Sequence, residues 1–207
     1  PLVVYDRGIQ REVVTVGAGT VQDKHTSDFW VFEGQDGNDY AVSGTWGADG
    51  TTYFWDVTDP GNLKKIDSVK VDARTVNDVK VSSDGRVSIL SREGASNRRN
   101  GIVILDTTNP YDVKILSEYT TNLTGGVHNV FIYEDHVYAL SNGERFYVIN
   151  IEDPTNPYQV GMFEIGETGQ AIHDVWVEDG IAYSSNWKHG VYMIDVGNGV
   201  AGGSPSN

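Results

Sequence analysis

The 207 residues contain no cysteine. Within this sequence that excludes disulfides, thiolate metal sites and cysteine nucleophiles, and it is compatible with either redox environment. No stretch of about 18 consecutive apolar residues occurs, so nothing reads as a membrane span. Positive charge is scarce. Fifteen Lys and Arg stand against 29 Asp and Glu, a net charge of −14. Such a chain repels phosphate backbones, which argues against nucleic acid as a partner. The familiar catalytic signatures are missing too: no G-x-S-x-G elbow, no H-E-x-x-H and no phosphate-binding P-loop. The segment Asp36–Asp39 (DGND) alternates oxygen donors but lacks the closing Glu of a calcium loop, and it is expected to form a hairpin turn.

What the chain does have is aromatic residues, 24 Gly, and one phrase written several times. YFWDVTDP, IVILDTTNP, YVINIEDPTNP and VYMIDVGN place Asp56, Asp106, Asn150 and Asp195 at equivalent positions. Their spacing, about 45 to 50 residues, is the mark of a stacked or ring-shaped repeat. Each copy breaks into four short runs rich in Val, Ile, Tyr and Phe, separated by turns such as SDG, EDG and NGE. Many runs are apolar at successive positions, so both faces of each sheet are expected to be buried. Blades of a β-propeller meet that requirement, because every four-stranded antiparallel sheet is sandwiched between neighbours. The prediction is an all-β propeller with about four to five blades represented. The copies lie near residues 27–71, 77–121, 128–168 and 173–198, the last lacking its fourth strand. Residues 2–20 form half a blade, and 199–207 a Gly/Ser-rich tail or a link to a missing strand.

These repeats resemble the LVIVD-repeat proteins, propeller-like proteins of bacteria and archaea that are often exported or attached to the cell surface. The resemblance runs from about Leu2 to Asn198. It implies a periplasmic or surface location and carries no catalytic residues. The incomplete first and last copies give the expectation of a piece of a larger propeller, completed by another chain or a missing segment. The alternative is a closed four-bladed ring in which Glu12–Ala18 supplies the fourth strand of the last blade.

In a propeller the first strand of each blade lines the central channel. At the start of those strands stand Ser27-Asp28, Asn77-Asp78, His128-Asn129 and His173-Asp174, with His25 just upstream in the first copy. Two readings follow. The polar pairs hydrogen-bond neighbouring blades, as buried backbone ends require. Alternatively His128, His173, Asp174 and Asp78 converge on a divalent metal, or act as acid–base groups, at the channel mouth. The loops between second and third strands share that face. They offer Trp46, Arg92, Arg98, Arg99, Arg145, Trp187 and His189 as ligand-binding candidates. The function these features favour is a non-catalytic binding or scaffolding module that takes a protein, small-molecule or carbohydrate ligand on its loop face. The alternative is a metal-dependent hydrolase or oxidase.

Overall fold

The computed structural model describes residues 2–6, 9–166 and 171–206, with side chains from residue 13 onward. Among them the chain is all-β apart from one 3-10 turn at Trp187–His189. A hairpin, β1 (Leu2–Asp6) and β2 (Ile9–Val13), comes first. Blade 1 is β3 (His25–Glu33), β4 (Asp39–Trp46), β5 (Thr51–Asp56) and β6 (Lys64–Lys70). Blade 2 is β7 (Val79–Val81), β8 (Val87–Arg92), β9 (Gly101–Asp106) and β10 (Lys114–Tyr119). Blade 3 is β11 (Val127–Tyr133), β12 (His136–Ser141), β13 (Arg145–Asn150) and β14 (Tyr158–Glu164). Blade 4 has three strands, β15 (Asp174–Glu178), β16 (Ile181–Ser185) and β17 (Val191–Asp195). Every sheet is an antiparallel meander in chain order.

The repeated phrase is a turn device. Asp56, Asp106, Asn150 and Asp195 each end the third strand of a blade. Each accepts, on its side-chain oxygen, the backbone N–H two residues on, at 2.9 to 3.1 Å. A second acceptor three residues later, Asp59, Asn109 or Asp153, does the same for the next bend. Asp and Asn suit these positions because their short side chains mimic a backbone turn. The Asp36 hairpin turn also forms as expected, with Asp36 accepting from Asn38 N–H and from the Tyr40 hydroxyl.

Successive side chains of a strand point to opposite faces, and the middle strands bury both. In β8, Leu90 packs toward blade 1 with Val42 and Phe54, whereas Ile89 packs toward blade 3 with Val137 and Ile149. A third core joins Tyr138, Leu140, Phe146 and Val148 of blade 3 to Val175, Val177 and Ala182 of blade 4. Each fully buried side chain of this kind contributes about 1.5–3 kcal/mol. The three blade-to-blade cores therefore dominate cohesion, and polar contacts set registration.

The two end faces differ from the interior ones. On blade 4, Trp176, Val191 and Met193 remain 49%, 67% and 69% exposed. Phe131, Phe146 and Val148 fill the equivalent positions of blade 3 and are buried there. On blade 1, Phe29 and Val31 are exposed, although Val21 covers part of the same face at Ala41, Tyr53 and Trp55. The expected strand Glu12–Ala18 is not seen. The strand is Ile9–Val13, it pairs with β1, and residues 14–20 are coil. The reason is packing. Gly17 and Gly19 run against Pro60 and the Trp55 ring, where a paired strand with side chains would clash. Among the described residues β17 pairs only with β16, so Glu12–Ala18 does not complete the last blade. Instead the tail folds back over blade 3, where Gly161, lacking a side chain, lets Pro205 approach the sheet.

Candidate functional site

A cavity of about 560 Å³ occupies the channel, walled by the first strands of all four blades. Bulges shape its rim. The β3–β4 register shifts between Thr26 and Phe29, and the β11–β12 register between Val127 and Val130. In blade 2, Asn77 and Asp78 lie between the Thr75–Glu93 bridge and the Val79–Leu90 pair. A bulge frees two residues from the ladder and re-aims their side chains. That is how the polar pairs of the first three blades reach the next blade.

The blade-to-blade bonds follow one pattern. Ser27 donates to the Val76 carbonyl at 2.5 Å, and Asn77 to the His128 carbonyl at 2.9 Å. Asp28 accepts the Val79 N–H at 3.4 Å, and Asp78 accepts the Val130 N–H at 2.7 Å. Gly44 leaves room for the first of these contacts, since a side chain there would strike Ser27 and Val76. At the last junction the acceptor is replaced by an amide. Asn129 donates to Asp174 at 3.1 Å, Asp174 accepts its own-strand Val175 N–H at 2.8 Å, and Asn129 Oδ1 is buried without a partner.

One ammonium sits among these groups. Lys80 Nζ lies 2.9 Å from Asp28, bonds to Asp78, and stands 5.1 Å over the Trp30 ring. Burial and the neighbouring Asp28 carboxyl push the Asp78 carboxyl up to about 8, against the pull of Lys80 and Val130. Burial acts on Asp28 in the same sense. The Asp78 carboxyl and Lys80 outweigh it and hold Asp28 below the usual carboxylate range. Two carboxyls beside one ammonium split in this way, one raised and one lowered.

A second cavity of about 490 Å³ opens on the loop face and shares His128 and His173 with the first. Arg74, Glu93, Asn142 and Trp187 are among its walls. Glu93 lies 3.0 Å from His128 Nδ1. The His128 and His173 rings are 6.0 Å apart, and Trp187 meets His173 edge-on at 4.7 Å. Trp187 is 68% exposed and has φ of +47°, a backbone region that a bulky residue rarely adopts. On the opposite rim Trp46 stacks on His25 at 6.2 Å.

The structure thus gathers Trp46, Trp187, His128, His173, Asp174 and Asp78 at the two cavities. Among the described residues no three His, Asp or Glu side chains come together closely enough to hold a metal ion. Asp78 is already engaged by Lys80 and Val130. Arg92 is a correction. It is the last residue of β8 and 1% exposed, donating to Glu118 at 2.7 Å and to the Arg99 carbonyl at 3.0 Å. It braces the blade and cannot reach a ligand. Arg98, Arg99 and His189 lie outside both cavity walls, and Arg145 pairs with Glu144 and Glu164. Sequence reasoning missed Lys80, Trp30, Phe131 and Trp176. They share one repeat position, two residues after the second member of each polar pair, and that periodicity was the available signal.

No family model matches the sequence, and no curated protein matches it. Among solved structures the chain is similar to a hypothetical selenium-binding protein from Sulfolobus tokodaii, with a TM-score of 0.60 and 14% identity. The likeness covers 78% of this chain and 46% of the other, so this chain spans about half of that structure. It agrees with the propeller-like all-β architecture and bears on the fold alone. No helix among the described residues is long and apolar enough to cross a membrane.

Proposed function

We propose that this chain is a binding module of a β-propeller of the LVIVD-repeat type, exported, taking its ligand at the channel mouth without transforming it. One observation carries the reading. Two adjoining cavities share a wall of His128 and His173 and are rimmed by half-exposed Trp46 and exposed Trp187. Concave sites with aromatic walls and a few polar groups are the usual form of small-ligand sites. Of the charged groups in the channel, Asp28, Asp78 and Lys80 are spent on one another and on the next blade. The name of the solved neighbour mentions selenium, but these 207 residues offer no thiol to bond it, so the ligand class comes from the cavity instead.

The test is saturation-transfer NMR with a panel of amines, carboxylates and sugars, run beside elemental analysis. Binding that is lost in Trp187→Ala and His173→Ala, with no turnover of the bound compound, supports the module. About one transition metal per chain, lost in a His128→Ala/His173→Ala double variant, replaces it with the metal-enzyme reading.

A further inference from the structure

The repeat shows how this channel holds a cation. Blade 1 presents Asp28 and, two residues on, Trp30. The Lys80 ammonium of the next blade sits against both, at 2.9 Å from the carboxylate and 5.1 Å over the ring. Carboxylate plus indole face is a general recipe for binding an ammonium, because Coulomb attraction and the ring quadrupole act on the same charge. Lys80 keeps its charge there although its side chain is only 13% exposed, since its partners more than offset burial.

Blade 4 writes the same pair again as Asp174 and Trp176. Both line the same cavity of about 560 Å³. Asp174 Oδ1 is taken by Asn129 and Val175, and no hydrogen bond among the described residues reaches Oδ2. Trp176 touches Phe131 at 4.6 Å and Trp30 at 6.4 Å yet stays 49% exposed. Blade 3 does not repeat the pair, because Asn129 and Phe131 replace acid and indole. Of the carboxyls that face the cavity, Asp28 and Asp78 already hold Lys80 and Asp174 has no ammonium partner among the described residues, and the net charge of −14 attracts cations toward it.

We propose that the channel binds a small organic ammonium ion, with its charged nitrogen between the Asp174 carboxylate and the Trp176 ring, as Lys80 lies between Asp28 and Trp30. This rests on the channel-mouth reading above and narrows its ligand class. The aromatic walls favour an alkylammonium over a hard divalent cation, which needs six or more oxygens. The uncharged remainder of the ligand runs past His128 and His173 toward Trp187.

The experiment is calorimetric and NMR titration with n-butylammonium, n-butanol, butyrate and methyl glucoside. Butylammonium should bind the wild-type chain at least tenfold more tightly than the other three. Asp174→Asn and Trp176→Leu should each weaken it at least tenfold, while thermal unfolding confirms that both variants fold. Lys80→Ala vacates the blade 1 pair, and it should gain a second butylammonium site and a larger thermal stabilisation by that probe than wild type. Equal binding of butanol and butylammonium, or butylammonium binding indifferent to Asp174→Asn, overturns the proposal. Binding of butyrate or glucoside that depends on Trp187 sinks the ammonium class and leaves the channel-mouth module standing. Absence of binding by every probe sinks both.

Discussion

Two junctions of this propeller do the same job with different chemistry. Between blades 2 and 3 the bond is made by a buried carboxyl, Asp78, accepting the Val130 N–H at 2.7 Å with Lys80 beside it. Between blades 3 and 4 the corresponding residue is Asn129, which donates to Asp174 and leaves its own oxygen unpartnered. Both junctions also have buried apolar cores, mostly Val, Ile and Leu in one and aromatic with aliphatic side chains in the other. A carboxyl oxygen accepts an N–H bond whether or not the group carries its proton, and the Lys80 ammonium beside Asp78 offsets part of the cost of burying any charge it does carry. Where blade 3 lacks a lysine, at Phe131, it also lacks the second acid. In these two middle blades the acid and the lysine are present together, Asp78 with Lys80, or absent together, Asn129 with Phe131, in keeping with the desolvation cost of an unpaired buried charge.

That comparison can be broken or sharpened by substitution. The largest effect should come from Asp78→Ala, which strips the Val130 N–H of its acceptor and leaves buried Lys80 with Asp28 alone. A loss of about 3 kcal/mol is expected in denaturant unfolding. A change below 1 kcal/mol would show that the latch is decorative.

Asn129→Asp copies the upstream acid without its lysine, setting a second carboxylate beside Asp174. It should destabilise by about 1–3 kcal/mol at neutral pH. Like charges raise the folded-state pKa of one carboxyl, so the native state is favoured below the unfolded value, and the deficit grows as pH rises through the folded one. Adding Trp176→Lys, which puts an ammonium on blade 4 as Lys80 of blade 2 stands beside Asp28 and Asp78, should recover most of the loss. A double variant no better than the single would refute the account of pairing.

A pH effect is already present in the wild type. Asp78, raised to about 8 by burial first and by Asp28 second, holds a proton in the folded chain that the unfolded chain releases above about pH 4. Its contribution to stability is complete below that pH and is lost as pH rises toward 8, at no more than about 1.4 kcal/mol per pH unit. Unfolding free energies across that range should slope less in Asp78→Asn, and an unchanged slope would assign the proton elsewhere. The smallest effect is expected of Trp187→Ala. Its side chain is exposed, so stability should move by less than about 0.5 kcal/mol while ligand binding falls.

Much of the fold was legible because its signals are local. The Asx turns at Asp56, Asp106 and Asn150 need only neighbouring residues, and they fixed the period, the strands and the propeller. The polar pairs could be placed at the channel by the same period, and one of their two readings, bonding to the next blade, is what Asp28, Asp78 and Asn77 do. Arg92 misled because the basic run from Arg92 to Arg99 looks like a solvated loop, whereas its first member ends β8 inside the blade. Lys80 was hidden in the apolar run DVKV. Only the juxtaposition of blade 1 and blade 2 reveals that its ammonium rests on Trp30. The second cavity draws its walls from loops of three blades, and no single copy of the repeat contains it.

The uncovered end faces have a directional consequence. Blade 4 leaves open the face that blades 1, 2 and 3 each turn toward their successor, and blade 1 leaves open the face that blades 2, 3 and 4 each turn toward their predecessor. The two are unlike halves of one joint, so copies of this chain that meet through them meet head to tail. A head-to-tail joint either closes into a ring, which leaves no free face, or grows into a filament, in which each added copy restores the same free face. A single charged substitution at Met193, or one at Phe29, would therefore block such a joint from either side.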